Sequence, residues 1–308
     1  LARAETRDEA AGFRAALAAV DPSGKLDEPT AAALAREWTA YLAAARAAGY
    51  SDCTPGRFLL PGDLEGSPAL TFAPLPPSQA PRGSLAREFA RRFDAYKAQV
   101  VKPFFRAHFA RIDRQIVLVD ALGAIHAGPP ALEDLRRALS GILGAFRPGR
   151  NAFLSNLLGR KRVDRILFAA TKADHLHHAQ HDRLAGIMAA LVADARRRAD
   201  FAGAETRAMA IAALRATVEE TRSVNGREMD LVRGRLLDGG KPAALHPGDL
   251  PADPAALLAP AKSGAERWLD ADYGVMRFAP APLSLRPGDG PPHIRLDRAA
   301  EFLLGDKL

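Results

Sequence analysis

The chain has 308 residues, of which 48% are hydrophobic, and a formal net charge of +7 at pH 7. This length predicts one or two domains with a large core, and the absence of any run of about 18 apolar residues excludes a transmembrane helix. Cys53 is the single cysteine, which excludes an internal disulfide framework and predicts a reducing, cytoplasmic location.

Residues 1–112 are predicted to form an α-helical domain, because their apolar residues recur at helical spacing. A Pro/Gly-rich stretch over residues 55–81 is predicted to lack regular structure. Ser84 is a predicted N-cap for a long helix that Pro103 interrupts, since proline lacks an amide hydrogen and clashes with the preceding turn. The residues at helical spacing are Phe13, Leu17, Val20, Leu34, Trp38, Tyr41, Leu42, Leu85, Phe89, Phe93, Tyr96 and Val100.

Residues 113–308 are predicted to form an α/β domain with a mainly parallel sheet. Short apolar runs at 116–119, 165–170 and 209–214 are typical of buried strands. Helices predicted between these strands imply right-handed crossovers and therefore parallel neighbours. The predicted helices span residues 131–146, 152–158, 177–198 and 296–304.

The segment between the third strand and the last helix is predicted to be poor in regular structure. Residues 225–254 have a loop-like composition, in which Gly239 and Gly240 predict a hairpin turn. Residues 273–278 are a candidate edge strand.

The basic residues do not predict a nucleic-acid interface. Acidic residues alternate with them along most of the chain, and the densest basic block is residues 160–162. Aromatic residues are few and do not interleave with the basic ones as they do in single-strand binders. We therefore expect an ordinary solvated surface and no nucleic-acid partner.

Thr171-Lys172-Ala173-Asp174 follows the predicted strand 165–170 directly, at the end of the strand where ligands of open α/β sheets bind. An ionised Asp174 can accept hydrogen bonds from the ring N–H and the exocyclic amine of guanine, whereas adenine offers an acceptor in place of that N–H. The Lys172 stem can lie along the plane of the base. The motif therefore resembles the guanine-specificity sequence of GTPases. An aspartate that caps the next helix is the alternative.

His177 and His181 lie four residues apart in a histidine-rich segment, so on one helix they would share a face suited to Zn²⁺. No glutamate lies between them to act as a general base, and no third ligand is close in the sequence. We therefore favour a hydrogen-bonding scaffold and assign no metal ligand. Asp120, which follows the 116–119 run, resembles a Walker B aspartate, but a helix cap or structural role explains it better.

The sequence contains no Gly-x-x-x-x-Gly-Lys-[Ser/Thr] loop, whose amides bind the phosphates of a nucleotide. The nearest candidate is Ser23-Gly24-Lys25-Leu26, which has Ala19 in place of the first glycine and a leucine in place of the hydroxyl residue. The chain therefore cannot hold a triphosphate by that mechanism.

Four stretches resemble the YcjX-like family, bacterial stress-inducible proteins predicted to be P-loop nucleotide hydrolases. They are RFLLPGDL at 57–64, RQIVLVDAL at 114–122, the 162–184 block that contains TKADHLHH, and the ending at 293–308. The resemblance implies a partial Ras-like P-loop NTPase core with an α-helical domain, and it places the phosphate loop upstream of the matched region. The chain therefore resembles the C-terminal two-thirds of the family, and since it begins with Leu1 rather than Met, we expect a fragment or a processed product.

The resemblance assigns Lys172 and Asp174 to guanine, with Thr171 in the supporting position that asparagine usually holds. It also implies that the backbone near Ala213 and Leu214 donates to the guanine carbonyl oxygen. GTP or GDP and Mg²⁺ are the implied ligands of the full-length protein, and an unidentified protein partner is expected for the helical domain. No catalytic residue can be assigned, so we expect the fragment alone to be inactive and to bind nucleotide weakly.

Three alternatives remain open. The chain can be part of an adenine-nucleotide hydrolase of the same superfamily, in which Asp174 is structural. It can instead be a metal-binding protein that uses His177 and His181, or an interaction module built on the helices of residues 1–112.

Overall fold

The computed structural model describes residues 9–50, 53–76, 80–107, 112–145, 163–224, 226–269, 272–280 and 290–308. The chain divides into two compact units, Leu1–Arg111 and Ile112–Leu308. Within the described ranges, every helix is too short or too polar to cross a lipid bilayer. The predicted helix 152–158 and the basic block 160–162 lie outside the described residues.

The first unit is helical, as the apolar spacing predicts. Asp27 caps a 20-residue helix by accepting the Thr30 N–H at 2.9 Å, and Ser84 caps a later helix by accepting the Arg87 N–H at 3.3 Å. The stretch predicted to be irregular contains three short 3₁₀ helices. The α-helices are Ala11–Ala18, Glu28–Ala47, Leu85–Tyr96 and Lys102–Ala107, and the 3₁₀ helices are Gly56–Phe58, Gly62–Leu64 and Pro68–Leu70.

The helix interruption predicted at Pro103 lies one turn earlier. A π-helical turn, Lys97–Val101, separates the last two helices of this unit. Pro103 therefore lies in the first turn of a new helix, where a missing amide hydrogen costs no hydrogen bond. Phe93, predicted to face the core, is 40% exposed. The buried aromatic residues are Phe13, Trp38, Tyr41, Phe58, Phe72, Phe89 and Tyr96.

The second unit contains a parallel sheet of three strands in the order β1-β2-β3. Val119 at the end of β1 pairs with Ala170 of β2, which pairs with Ala210 of β3. All three strands therefore end at one edge of the sheet, and the unit is a mixed α/β structure. The strands are β1 (Arg114–Val119), β2 (Arg165–Ala170) and β3 (Glu205–Ala210).

Helices cover both faces of β2. Ile166 and Phe168 pack into the main core, whereas Leu167 and Ala169 pack on the opposite face against the C-terminal helix. A strand buried on both faces needs a continuous apolar run, which is why the sequence predicts β2 correctly. The C-terminal helix is Leu296–Leu304, and the helices of the main core are Ala121–Ala127, Pro129–Ala145, His181–Leu191, Ala193–Phe201 and Ala255–Ser263.

β1 differs from the fully buried strand that its apolar run predicts. Val117 and Val119 face the main core, but Ile116 is 40% exposed and Leu118 is 62% exposed. Among the described strands, β1 pairs with β2 alone. Its apolar residues are therefore buried on one face only.

Two boundaries predicted in this unit are wrong. The third strand begins at Glu205 and ends at Ala210 rather than spanning 209–214. The prediction misses its start because charged residues such as Arg207 interrupt the apolar run on this edge strand. The helix predicted over 177–198 is a 3₁₀ helix followed by two α-helices. They are His178–Gln180, His181–Leu191 and Ala193–Phe201.

The second unit also contains an antiparallel sheet, of which the sequence predicts only the hairpin turn at Gly239 and Gly240. Its strands are β4 (Thr217–Val224), β5 (Arg227–Arg235) and β6 (Pro242–Leu245), in the order β4-β5-β6. The prediction of loop over 225–254 is therefore wrong for β5 and for β6. Gly239 and Gly240, with φ of 81° and 61°, lie in the turn between β5 and β6, which confirms the predicted hairpin.

The candidate edge strand at 273–278 is wrong as well. Phe278 forms an isolated bridge with Leu236, and no longer ladder includes the segment among the described residues. A single bridge gives too few backbone hydrogen bonds to define a strand.

Candidate nucleotide-base site

The loop of residues 171–174 leaves the end of β2 and is attached to both neighbouring strands. The Thr171 N–H donates to the Val119 carbonyl at 2.9 Å, and the Ala173 N–H donates to the Ile211 carbonyl at 3.1 Å. Lys172 has φ of 62° and ψ of 33°, a left-handed conformation that costs a residue with a side chain about 1–3 kcal/mol. Such conformations persist where surrounding contacts determine them, and they cluster at functional sites.

Asp174 is buried, with 5% of its surface exposed. Its Oδ2 accepts the Ala216 N–H at 2.8 Å, and its carbonyl oxygen accepts the Thr217 hydroxyl. The carboxylate is thus bonded to a separate loop and does not cap the helix that follows it. Its Oδ1 accepts no hydrogen bond from the described residues. One oxygen is therefore fixed by the backbone while the other keeps its hydrogen-bonding capacity.

Ala213 and Leu214 lie in the loop that follows β3. Both ends of this loop are attached to the 171–174 loop, through the Ile211 carbonyl and the Ala216 N–H. Ala213 is exposed and Leu214 is half-buried, and neither N–H donates a hydrogen bond within the described part of the chain. The structure thus brings two backbone donors to the same edge of the sheet as the buried carboxylate.

Lys172 is paired with Asp120 across the same edge. The Lys172 Nζ lies 2.5 Å from the Asp120 Oδ2, and the two side chains are 46% and 43% exposed. Asp120 also accepts the Gly123 N–H at 3.0 Å and so caps the helix Ala121–Ala127, which confirms the capping role. Exposed ion pairs of this kind contribute about 0–1 kcal/mol, so the lysine can change partner at little cost.

The segment that comes nearest to a phosphate loop in sequence lies elsewhere, in the helical unit. The Gly24 N–H donates to the Asp21 carbonyl at 3.1 Å, and the Gly24 carbonyl accepts the Leu85 N–H at 3.0 Å. These bonds make it a connecting turn between helices. The sheet edge instead brings together the Asp174 carboxylate and the loop that carries the Ala213 and Leu214 N–H groups.

A model of the YcjX-like family (DUF463) matches residues 1–308. The chain belongs to this family. It is 37% identical over 299 residues to the protein named Ras-like GTPase YcjX of Escherichia coli K12 and 33% identical over 314 residues to the protein of that name from Shewanella oneidensis MR-1. The matches cover 94% and 97% of this chain but 62% of each relative, so the chain spans less than two thirds of their length.

His181 stabilises the 171–174 loop of this YcjX-like chain. Its Nε2 lies 2.8 Å from the Ala173 carbonyl and 3.2 Å from the Leu176 carbonyl, and it must donate because carbonyl oxygens only accept. Burial lowers the pKa of the His181 imidazole from its ordinary value, which favours the neutral ring. The contacts support the scaffold role that the sequence favours.

His175 is a second buried histidine next to the loop. Its side chain packs edge-on against Phe278 with ring centroids 5.3 Å apart, and its Nδ1 has no hydrogen-bond partner among the described residues. Burial lowers the pKa of His175, although the neighbouring Asp174 carboxylate acts in the opposite direction. The ring therefore prefers to stay neutral beside the buried carboxylate.

His177 does not share a helical face with His181. The helix begins at His181, and His177 precedes it with an extended backbone of φ −64° and ψ 146°. The pairing of these two histidines as metal ligands is therefore wrong. His177 instead lies beside His178 and Glu219.

Sequence reasoning missed three residues that build the site. Ala216 and Thr217 reach the 171–174 loop from 42 and 43 residues away, and a single sequence carries no signal for such contacts. Gln180 is 4% exposed and bonds through its amide to the Gly248 carbonyl at 3.0 Å and the Leu250 N–H at 2.7 Å.

Proposed function

We propose that this chain contributes the guanine-binding part of a GTPase-like P-loop nucleotide hydrolase. The observation that carries the proposal is the buried Asp174 at the carboxyl end of β2, with one oxygen fixed by the Ala216 N–H and the other accepting no hydrogen bond from the residues that the structure describes. The relatives named Ras-like GTPase YcjX support the class of activity. Their names do not identify the residues that bind the base; the resemblance of residues 171–174 to the guanine-specificity sequence suggests them, and the geometry of the sheet edge supports them.

Asp174 selects guanine by its hydrogen-bonding pattern. An ionised carboxylate only accepts, and guanine presents two adjacent donors, the ring N–H and the exocyclic amine. Adenine presents an acceptor in place of the ring N–H, so a buried charge would face a lone pair. A site built on such pairing can reject the wrong base by about 10⁴–10⁵.

The neighbouring loops complete the base site in this proposal. Ala213 or Leu214 donates a backbone N–H to the guanine carbonyl oxygen, a contact that adenine, with an amine there, cannot make. Thr171 supports the loop through its N–H bond to Val119. Lys172 leaves Asp120, and its methylene stem packs along the face of the base.

We infer further that the parallel sheet is half of a Ras-like P-loop core. The half-exposed face of β1, with Leu118 62% exposed, supports an additional element beside it, and the relatives are longer than this chain. The residues that bind the phosphates of GTP or GDP, and Mg²⁺, are assigned to that additional part. Hydrolysis also requires a positioned water, and we assign no residue of this chain to that task.

Competition between GDP and ADP tests the proposal in the full-length gene product that contains this chain. We expect GDP to displace a fluorescent guanine nucleotide at least about 100-fold more effectively than ADP, because of the unpaired buried charge that adenine leaves. Asp174→Ala should abolish that preference. Asp182→Ala is the matched control, since the Asp182 side chain is 94% exposed, and it should leave the preference intact.

Equal displacement by GDP and ADP would show that the nucleotide is not chosen by this carboxylate. A preference for ADP would identify an adenine-nucleotide hydrolase of the same superfamily, with Asp174 as a structural residue. The isolated chain should show no GTP turnover, and measurable turnover would contradict the assignment of the phosphate site to another part of the protein.

A further inference from the structure

His177, His178 and Glu219 bring three metal-binding side chains together outside the proposed base site. Their ligand atoms all lie within 4.8 Å of one another. The Glu219 Oε2 lies 2.6 Å from the His178 Nδ1 and 3.6 Å from the His177 Nε2. Because both contacts share one oxygen and no pair of ligand atoms is more than 4.8 Å apart, the three atoms form a triangle rather than a row.

The fold fixes two of these three side chains. His177 and Glu219 are 12% and 19% exposed, whereas His178 is 70% exposed. The two histidines precede the helix His181–Leu191, and Glu219 projects from β4. The cluster thus joins the segment that follows the 171–174 loop to the antiparallel sheet, with its open side toward solvent.

The surrounding residues orient the ligands as they do in metal sites. The Asp230 Oδ2 lies 3.5 Å from the His177 Nδ1, on the side of the ring opposite to the Nε2 that faces Glu219. The Ala179 N–H also donates to this Nδ1 at 3.4 Å, which places the proton of the neutral ring on Nε2. A cation bound at Nε2 would move that proton to Nδ1, where the Asp230 carboxylate can accept it and make Nε2 a better ligand. Arg215 binds the other Glu219 oxygen, Oε1, at 2.9 Å, so the carboxylate presents Oε2 alone.

Two imidazoles and one carboxylate are the ligand set of many zinc sites that keep a fourth position for water. Ligand atoms around a tetrahedral Zn²⁺ are about 3.3 Å apart, given bonds of about 2.0–2.1 Å. The 3.6 Å contact of His177 is already near this value. The 2.6 Å contact of His178 is a hydrogen bond that a cation would replace after a small movement of an exposed ring.

We propose that His177, His178 and Glu219 form a Zn²⁺ site, with Asp230 as the positioning residue behind His177 and water as the fourth ligand. Imidazole nitrogens favour Zn²⁺ over Mg²⁺ or Ca²⁺, which take oxygen ligands. The bound cation would tie the segment after the 171–174 loop to β4. The site is independent of nucleotide and does not rest on the proposed base recognition.

Equilibrium dialysis of the chelator-treated chain against Zn²⁺, followed by elemental analysis, tests the site. We expect one Zn²⁺ per chain in the unmodified protein and no binding of Mg²⁺ at the same concentration. His178→Ala and Glu219→Gln should each lower the affinity at least about 100-fold, since removal of a ligand should exceed the 10–100-fold loss typical of an outer partner. Asp230→Asn should lower it about 10–100-fold.

His126→Ala is the matched control, because the His126 Nδ1 bonds to the Tyr273 carbonyl in a different part of the unit, and it should keep full binding. His178 is exposed, so its removal should leave the far-ultraviolet circular dichroism and the unfolding midpoint of the metal-free chain unchanged. Zn²⁺ should raise the unfolding midpoint of the unmodified chain but not that of His178→Ala. Binding of less than one Zn²⁺ per chain, or equal binding by His178→Ala and His126→Ala, would overturn the proposal.

Discussion

The two sheets of the second unit are built from different kinds of sequence. β2 is buried on both faces and consists of a continuous apolar run, as parallel sheets require. β4 has the burial pattern of a strand that mostly faces solvent, since Val218 and the four residues from Thr221 to Val224 are exposed. Asp174 lies beyond the carboxyl end of β2 in the first sheet. Its hydrogen bonds, however, are made with Ala216 and Thr217, where the second sheet begins. The candidate base site thus depends on a strand that shows no strand-like pattern.

The largest expected effect is a difference between the two sheets in how far one substitution lowers the free energy of unfolding. Phe168 is 1% exposed in the main core, so Phe168→Ala should lower the free energy of unfolding by about 3–5 kcal/mol. Val218→Ala, on β4 and 49% exposed, should change it by about 0.5 kcal/mol or less. Urea denaturation followed by circular dichroism measures both, and equal losses would show that the two sheets share one core.

The second effect is the pH dependence of stability that the buried histidines, including His181, produce. Burial lowers the folded-state pKa of His181 and His175 from 6.5, so below pH about 6.5 the unfolded chain binds more protons than the folded one. The stability that the neutral rings contribute is therefore present above that pH and is lost as the pH falls through the folded-state pKa values.

Replacing His181 separates its contribution to the pH dependence of stability from that of His175. His181→Ala leaves the Ala173 and Leu176 carbonyls without their donor and should cost about 1–3 kcal/mol at pH 7.5. The variant should also lose less stability than the unmodified chain between pH 7.5 and pH 5.5, as followed by urea denaturation at each pH. An identical pH dependence in both proteins would exclude His181 as a titrating group in that range.

The parts of the fold that sequence predicts are those in which local pattern and burial agree. The run of β2 and the helix Leu296–Leu304 follow from apolar spacing alone. The start of β3 and the whole of β5 do not follow from apolar spacing. Exposed charged residues, such as Arg207 in β3, interrupt the apolar pattern in both strands.

The candidate site likewise has one part that the sequence predicts and another that it does not. The motif of residues 171–174 can be predicted because its placement after a buried strand is a local property. The partners of Asp174 cannot, because Ala216 contributes only a backbone N–H that any residue type would supply. The cluster of His177, His178 and Glu219 requires the pairing of a loop with β4, which a single sequence does not reveal.

A third prediction sharpens the role of β4 in holding the loop. Thr217 is 4% exposed and donates its hydroxyl to the Asp174 carbonyl. Thr217→Val keeps the shape and removes that bond, so it should cost about 1 kcal/mol and weaken guanine-nucleotide binding. Thr221→Val, at an exposed position of the same strand, should have a smaller effect on both. Nucleotide titration and urea denaturation of the full-length protein check the pair.

The smallest expected effect is that of the exposed ion pair at the sheet edge. Lys172→Met removes the charge that faces Asp120 but keeps a flexible apolar side chain, so the free energy of unfolding should change by about 1 kcal/mol or less. Asp120→Ala should cost more, about 0.5–2 kcal/mol, because it also removes the cap of Gly123. A larger loss for Lys172→Met would mean that the pair is a main support of the loop.

The most direct test of base recognition by Asp174 is the nucleotide preference of the Asp174→Asn variant of the full-length protein. Asparagine presents one donor and one acceptor where aspartate presents two acceptors, and xanthine has a carbonyl in place of the guanine amine. We expect the variant to bind GDP about 10–100-fold more weakly and to gain affinity for xanthosine diphosphate, measured by calorimetric titration. Unchanged affinity for both nucleotides would contradict recognition of the base by this carboxylate.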